Sequence, residues 1–406
     1  MKIMMISSLY GFAGGGAGLV AHNLARALAA AGHQLSVVTI GGTRHYSIME
    51  EQDIKIFRFI PQNLYPLQEK DLHPGWQKVI WQLVDTYNFQ CANELRKILI
   101  HETPDIIHIH KMRGFSGAVW HVASRFLPGR VIQTCHDYES MSPDGYLRGS
   151  VGRMALHRQW PVRGYQLLRA RFSAGVSVVT APSNFTLKRI TESGLFPLAR
   201  SDVVWNTHDW SHSQLRAIHE RANTVSNDPV CFLFLGRLER EKGVVELCEA
   251  FLLASRSNPR MQLRLAGWGT LESKLRAKYG GNSRIDFLGA IAGREKEEAL
   301  ANSTAVIIPS LWEEVFGVVT VEAFAFGKPV IASRVGGLPE LVRTGETGWL
   351  VEAGNIPALA EQLLFVANID PLALEKINQN CKEYSHEFAV EKILTEYLEI
   401  YNQLLQ

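Results

Sequence analysis

Apolar, strand-like runs alternate with helical stretches twice along this chain of 406 residues. The first alternation spans Lys2 to Trp205, and the second spans Val230 to Val351. Strands that alternate with helices form parallel sheets, because each helix returns the chain to the end where the previous strand began. With 46% hydrophobic residues, a chain of this length is long for one core. We therefore predict an α/β protein with two parallel-sheet nucleotide folds in tandem, connected by the polar segment from Asn206 to Asp228.

Two glutamates lie eight positions apart in the second half of the chain. Glu314 follows an apolar run that ends at Pro309, and Glu322 lies about a turn inside the helix predicted after Gly317. Carboxylates beside the positive end of a helix can accept sugar hydroxyls while free backbone amides bind phosphate oxygens. The pair can therefore hold a nucleotide sugar. For a bare pair of this spacing, a helix with two exposed acids is the simpler interpretation.

Two spaced cations follow the predicted strand Val230 to Leu235 and its glycine turn. Arg237 offers a planar fork of donors and Lys242 a compact point charge, which together suit two adjacent phosphates. The alternative is a solvated loop in which Glu239 and Glu241 pair with neighbouring cations.

The chain opens with a short apolar strand, Lys2 to Ile6, followed by a glycine cluster that includes Gly15 and Gly16. No acid ends the second strand, Gln34 to Ile40, so a dinucleotide-binding dehydrogenase is disfavoured. Paired glycines let ligands approach the backbone closely, although a structural tight turn is also possible.

Histidines follow two of the apolar strands. His136 precedes Asp137 at the end of the run Arg130 to Cys135, where a capping or packing role is the common alternative. His108 and His110 share one strand face, as metal ligands can, but no third ligand has a convincing position. We therefore predict no metal site.

The acidic pair and its surroundings resemble the signature of the retaining family-4 glycosyltransferases, which is Glu-x7-Glu with Phe-Gly after the first Glu, then Glu-Ala and Gly-x-Pro-Val. The matching residues are Glu314, Phe316, Gly317, Glu322, Ala323, Gly327, Pro329 and Val330. The resemblance implies the GT-B fold, with two Rossmann-like parallel-sheet domains facing a cleft and a C-terminal helix that returns to the N-terminal domain. We predict an acceptor-side domain of residues 1–209 plus 385–406 and a donor-binding domain of residues 210–384.

The same resemblance implies a role for each site residue. Arg237 and Lys242 would bind the diphosphate, Glu314 the hexose hydroxyls, and His136 the hexose or its phosphate; these four are the predicted catalytic residues. The predicted donor-binding residues are Gly15, Gly16, Gly236, Gly267, Gly269, Ile291, Val315, Phe316, Gly317, Val318 and Glu322.

The expected reaction is metal-independent transfer of a hexose from a nucleoside diphosphate sugar to a saccharide or lipid-linked acceptor, in polysaccharide or glycolipid synthesis. UDP-glucose is the expected donor because it is common among family members, and no cofactor is expected. No Asp-x-Asp motif for a metal is present. The alternatives are a sugar-nucleotide epimerase of the same fold and a catalytically silent nucleotide-sugar-binding protein.

Charge is distributed unevenly along the chain. Residues 1–209 carry 22 Lys and Arg against 15 Asp and Glu. Part of this excess forms a basic amphipathic stretch suited to anionic lipid headgroups or to the pyrophosphate of a lipid-linked acceptor, unless it is simply a solvated helix face. Its cations are Arg148, Arg153, Arg158, Arg163, Arg169 and Arg171. The charge is too modest overall for a nucleic-acid partner.

An aromatic segment and the absence of targeting signals also bear on function and location. The segment lines the acceptor side or packs within an insertion, and it comprises Tyr65, Trp76, Trp81, Tyr87 and Phe89. No run approaches a spanning helix or a signal-peptide core, and five scattered cysteines favour reduced thiols. We expect a cytoplasmic protein that can associate with the inner face of the cell membrane.

Overall fold

The computed structural model of the chain describes residues 1–11, 15–66, 69, 72–142, 156–221 and 229–406. The chain divides into two compact units. The N-terminal unit comprises Met1–Trp205 and Ile393–Gln406, and the C-terminal unit comprises Asn206–Lys392. The divisions fall after Trp205 and after Lys392, a few residues from the positions 209 and 384 named above.

The N-terminal unit is built on an eight-stranded sheet. Its strands are β1 (Lys2–Ile6), β2 (Gln34–Ile40), β3 (Ser47–Glu51), β4 (Ile54–Phe59), β5 (Ile106–Ile109), β6 (Val131–Thr134), β7 (Val178–Ala181) and β8 (Arg200–Val203). They lie in the order β3-β4-β2-β1-β5-β6-β7-β8 and are parallel except for the β3–β4 pair. Met4, for example, pairs with Ser36 on β2 and with Ile107 on β5.

Helices connect these strands. They are α1 (Gly15–Ala30), α2 (Gly75–Thr86), α3 (Phe89–Glu102), α4 (Ala118–Phe126), α5 (Leu156–Ser173) and α6 (Asn184–Glu192). The inner strands β1, β2, β5, β6 and β7 are buried almost continuously, as expected for a parallel sheet that helices cover on both faces. The edge strand β3 is exposed, and the edge strand β8 is exposed or half-buried.

The C-terminal unit contains a six-stranded sheet that is parallel throughout. Its strands are β9 (Val230–Leu235), β10 (Met261–Ala266), β11 (Ile285–Gly289), β12 (Ala305–Ile308), β13 (Val330–Ser333) and β14 (Gly348–Val351), in the order β11-β10-β9-β12-β13-β14. The helices are α7 (His212–Arg221), α8 (Val244–Ala254), α9 (Glu272–Tyr279), α10 (Gly293–Ala301), α11 (Val318–Ala325), α12 (Leu338–Leu341), α13 (Ile356–Ala367) and α14 (Pro371–Ser385).

The last helix, α15 (Val390–Leu405), returns to the N-terminal unit, which confirms that part of the expected fold. Ile393, Tyr397, Ile400 and Tyr401 recur at helical spacing and pack in one apolar cluster with α1 and with strands β1 and β2. The helix is therefore part of that core.

The described arginines of the basic stretch do not all lie on one exposed face. Arg163 and Arg171 are exposed, but Arg169 is buried: it donates a 2.7 Å hydrogen bond to the hydroxyl of Tyr165 and lies over the ring of Trp120. Two other members, Arg148 and Arg153, lie outside the described residues, as does the side chain of Arg158.

The aromatic segment divides between the core and the surface. Trp81 is buried and donates a 2.9 Å hydrogen bond to the carbonyl of Tyr65, so these two pack as the insertion alternative predicts. Trp76 and Phe89 are largely exposed. No helix in the described part of the chain is both long and apolar enough to cross a membrane.

Candidate active site

The strand order of the C-terminal sheet reverses between β9 and β12. In open parallel sheets, ligands bind at the carboxyl ends of the strands where the order reverses, because the flanking loops diverge there and leave a crevice. The loop after β9 carries Arg237 and Lys242, and the loop after β12 carries Glu314. The two predicted halves of the site therefore lie on the two sides of this position.

Close backbone contacts hold these loops together. Gly243 has φ of +70°, and a Cβ there would lie 1.8 Å from the carbonyl oxygen of Pro309 in the loop after β12. Gly267, after β10, has φ of +142°, and a Cβ would lie 1.8 Å from the carbonyl oxygen of Gly236. A side chain at either position would clash with backbone as well as strain φ. The loops after β9, β10 and β12 thus meet at distances that require glycine.

Lys242 and Glu314 are joined directly. The ammonium of Lys242 donates a 2.6 Å hydrogen bond to Oε1 of Glu314, and the hydroxyl of Ser310 donates to the same oxygen at 2.6 Å. The ammonium also lies 5.1 Å from the ring centroid of Trp312. The cation that is predicted to bind the diphosphate therefore lies in direct contact with the carboxylate that is predicted to bind the hexose.

Glu314 is buried yet favours its charged form. Burial by itself raises the pKa of this carboxyl, but the Lys242 ammonium and hydrogen bonds from Lys242, Ser310 and Trp312 outweigh burial and lower the pKa below its ordinary value. The carboxylate can thus accept hydrogen bonds at neutral pH.

Arg237 is paired within its own loop. It donates a 3.0 Å hydrogen bond to the carboxylate of Glu241, and its side chain is 44% exposed. The carbonyl of Glu241 in turn accepts a 2.8 Å hydrogen bond from the amide of Leu311 in the β12 loop. The contact of Arg237 is therefore the solvated ion pair of the alternative interpretation. The backbone of Glu241, its partner, connects this loop to the loop that carries Glu314.

Glu322 has a cationic partner that the sequence analysis missed. It lies inside α11, is buried, and accepts a 2.7 Å hydrogen bond from Lys296 on α10. The Lys296 ammonium lies 5.9 Å from the ring centroid of Trp210. Residues 293–298, Gly-Arg-Glu-Lys-Glu-Glu, look like a solvated charged helix. Only the packing of α10 identifies which of its charges faces inward.

The remaining residues that are predicted to bind the donor lie around the start of α11 and near the ends of the strands. Gly317 has φ of +91° and immediately precedes α11, whose first residue is Val318. Val315 and Phe316 are buried just before it. Gly269 lies in the loop after β10, where a Cβ would be 2.5 Å from the carbonyl oxygen of Leu238. Ile291 lies half-buried after β11.

His136 in the N-terminal unit has a second histidine as its partner. His110 Nδ1 and His136 Nε2 are 2.8 Å apart, so one of these nitrogens donates and the other accepts, and the rings stack at 9°. Burial lowers the pKa of His136 to about 4, with the neighbouring charges of Asp137 and Lys111 acting in opposite directions. The imidazole is therefore neutral at physiological pH.

Charged groups hold the loop that contains His136. Lys111 forms an ion pair with Asp137, whose Oδ1 accepts a 2.8 Å hydrogen bond from the amide of Glu139. Glu139 also accepts a 2.6 Å hydrogen bond from the amide of Met112. The Asp137 carboxylate thus orients the loop.

His108 is not available to a metal. Its Nδ1 lies 2.7 Å from the hydroxyl of Tyr401 and its Nε2 lies 2.7 Å from that of Thr134, so both ring nitrogens are used. Within the described ranges, no group of three or more His, Cys, Asp or Glu side chains could hold a metal ion.

The paired glycines begin α1. Gly15 is the first residue of that helix, and Gly16 follows it with an exposed position where a Cβ would meet nothing within 4 Å. Packing inside the described structure therefore does not require glycine at position 16.

Comparisons with known proteins agree with this architecture. The profile described as "Glycosyl transferases group 1" matches residues 216–388, and that described as "Glycosyltransferase Family 4" matches residues 14–211. The chain is 28% identical to an uncharacterized 42.6 kDa protein in the cps region of Klebsiella pneumoniae, over 84% of this chain and 88% of that protein. It is 27% identical to the glycogen synthase of Mycobacterium tuberculosis, over 93% of this chain and 88% of that enzyme.

The solved structures show the same fold. Anabaena HepE, in a crystal structure in complex with UDP and glucose, matches with a TM-score of 0.69 at 21% identity and covers 99% of both chains. The two parallel-sheet units are those of a GT-B glycosyltransferase. The chain belongs to glycosyltransferase family 4.

Proposed function

We propose that this glycosyltransferase transfers glucose from UDP-glucose to a saccharide or lipid-linked acceptor with retention at the anomeric carbon. The observation that carries the proposal is the 2.6 Å contact between Lys242 and Glu314. A nucleotide sugar presents its diphosphate and its hexose next to each other, so its site needs a cation and a hydroxyl acceptor at neighbouring positions.

Lys242 would act on the leaving group. Cleavage of the bond between hexose and phosphate loads negative charge on the diphosphate, and a fixed cation stabilises that charge without solvent reorganisation. In other enzymes one such preorganised donor contributes about 2.7–4 kcal/mol. Arg237 and the backbone amides at the start of α11, which follows Gly317, would add to the same effect. No step in this scheme uses a metal.

The two glutamates would bind different parts of the donor. Glu314, kept ionised by its partners, would accept hydrogen bonds from hexose hydroxyls. Glu322, held by Lys296, would accept those of the ribose. Because His136 is neutral at physiological pH, its proposed contact with the hexose or its phosphate is a hydrogen bond and not an ion pair.

The relatives support the choice of donor. One of them is named a glycogen synthase, and the Anabaena protein is described in complex with UDP and glucose. These names favour glucose as the transferred hexose, UDP as its carrier and a polysaccharide as the product. A cytoplasmic enzyme that works at the inner face of the membrane fits this setting.

A panel of nucleotide sugars tests the proposal. UDP-glucose should raise the thermal midpoint of the full chain more than UDP-galactose or GDP-mannose, because a bound ligand stabilises the folded state according to its affinity. Transfer to an acceptor, followed by NMR of the new anomeric centre, should show the configuration of the donor. Excess chelator should leave the rate unchanged.

The alternatives give different results in the same assay. An epimerase would release a free sugar derivative without any acceptor. A silent binding protein would be stabilised by UDP-glucose but would not consume it. Loss of activity in chelator with recovery on added Mn²⁺ would reject the metal-independent scheme.

A further inference from the structure

Helix α2 is amphipathic with its apolar side outward. The positions that the structure leaves exposed are Gly75, Trp76, Val79, Ile80, Leu83 and Val84. They recur at the spacing of one helix face, and none of them is polar. The inward side carries the helix's one acid, Asp85, which is buried beside Trp81. Trp76 is 63% exposed and Leu83 is 68% exposed, so neither is covered by the part of the chain that the structure describes.

A basic cavity lies between α4 and α5 in the same unit. Its volume is about 420 Å³, and it is lined by His121, Ser124, Arg125, Arg171, Phe172 and Gly175. Arg125 and Arg171 are both exposed, and no acid belongs to this lining. Two guanidinium groups in a concave site supply the kind of donors that a phosphate needs, because a phosphate accepts several hydrogen bonds at once.

Ring contacts join the end of α2 to this cavity. Tyr87 lies 5.1 Å from the ring of Phe89, which is 81% exposed, and 5.0 Å from the ring of Phe172. Tyr87 also contacts His121 at 5.7 Å between ring centroids. Phe172 and His121 both line the cavity. The C-terminal end of α2, the exposed phenylalanine and the basic cavity are thus adjacent.

We propose that α2, Phe89 and the cavity lined by Arg125 and Arg171 form one docking surface for an anionic phospholipid bilayer. The apolar side chains enter the boundary between headgroups and acyl chains, and the two guanidinium groups bind headgroup phosphates. The 12-residue helix lies along the interface and does not cross it.

The charges on this surface argue against a second copy of the chain. A symmetric dimer places the same patch of both subunits in one interface, which would bury Arg125 and Arg171 of both copies while the cavity lining supplies no acid to pair with them. A bilayer rich in phosphatidylglycerol supplies the opposite charge and an apolar layer together. This surface shares no residue with the proposed donor site, and the proposal does not depend on which sugar is transferred.

Vesicle flotation with the full chain tests the surface. The protein should float with vesicles of phosphatidylcholine plus phosphatidylglycerol and remain behind with phosphatidylcholine alone. Leu83→Glu should abolish flotation, while the matched control Leu372→Glu, at a position 81% exposed on α14, should float like the parent protein. Arg171→Gln should weaken binding about fivefold, the effect of removing one cation near an anionic surface. Arg260→Gln, an exposed arginine of the C-terminal unit, is its control.

Three results would overturn the proposal. The first is equal flotation of Leu83→Glu and the parent, and the second is no binding to either vesicle. The third is a dimer in sedimentation velocity that Leu83→Glu dissociates, which would assign the surface to a second copy. Thermal unfolding of each variant establishes that the chain remains folded.

Discussion

Glu322 accepts a 2.7 Å hydrogen bond from the ammonium of Lys296, which lies 26 positions earlier in the chain. Glu314 accepts a 2.6 Å hydrogen bond from Lys242 in the same way. Each acid of the Glu-x7-Glu pair therefore has an ammonium of its own. Both carboxylates are buried, so each ammonium balances a charge that burial would otherwise disfavour.

Replacing Lys296 should weaken donor binding more than catalysis. In Lys296→Met, Glu322 loses the hydrogen bond that orients it, and a charge-assisted bond of this kind is worth about 2 kcal/mol. We expect the KM for the donor to rise more than tenfold while kcat changes little. Steady-state kinetics at varied donor concentration measures both values. Lys296→Arg should recover most of the affinity, and Lys274→Met, an exposed lysine on α9, should behave as the parent. An equal loss of kcat would place Lys296 in the chemical step.

Replacing Lys242 should affect the chemical step itself. Lys242→Met removes a cation from the leaving diphosphate, and we expect kcat to fall about 100-fold or more. Arg240→Gln, in the same loop but paired with Glu246, is the matched control. Unchanged kcat in Lys242→Met would remove the leaving-group role.

The same variant should shift the pH profile. Lys242 is the main influence that lowers the pKa of Glu314 against the effect of burial, so its removal should raise that pKa. Because the ionised form is the one proposed to act, the acid limb of residual activity should move to higher pH. A profile of kcat against pH for parent and variant shows the direction, and an unmoved limb would contradict the proposed state of Glu314.

Much of the fold could be predicted because the relevant patterns are local. Buried parallel strands such as β1 and β9 are continuous apolar runs, and glycines follow β9 and β10, whose loops meet closely. The acidic pair could be found because its neighbours resemble a family signature. Lys242 could be found because it corresponds to the lysine that binds the diphosphate in the same family.

The partners of these residues could not be predicted, because tertiary packing selects them. Nothing in the sequence near Lys296 distinguishes it from the other charges of α10. Arg169 belongs to the same helix as the exposed Arg163 and Arg171 but faces inward, where Tyr165 offers it a hydroxyl and Trp120 an aromatic face. Periodicity also indicates that α2 has an apolar face and a polar face, but it does not show which of the two is buried. In this protein the polar face is buried.

His110 should position His136 through its Nδ1 atom. In His110→Asn the side-chain amide can occupy nearly the same place as Nδ1, so the hydrogen bond to His136 Nε2 can persist. In His110→Phe the ring volume remains but the bond is lost. We expect the Asn variant to keep kcat within about threefold and the Phe variant to lose about tenfold or more, the cost of a hydrogen bond that leaves a buried group unpaired. Equal kcat values for the two variants, with equal thermal midpoints, would contradict the positioning role.

Asp85 should make the stability of the N-terminal unit depend on pH. Burial raises the pKa of this carboxyl to about 7, although Arg169 acts in the opposite direction. The folded protein thus holds a proton that the unfolded chain releases near pH 4, so the contribution of Asp85 to the free energy of unfolding falls as pH rises from about 4 to about 7. Asp85→Asn removes this titration and should be more stable than the parent by about 1 kcal/mol at slightly alkaline pH. Thermal midpoints measured across this range, with the exposed Asp53→Asn as control, should converge for variant and parent as the pH is lowered, and parallel curves would contradict the assignment.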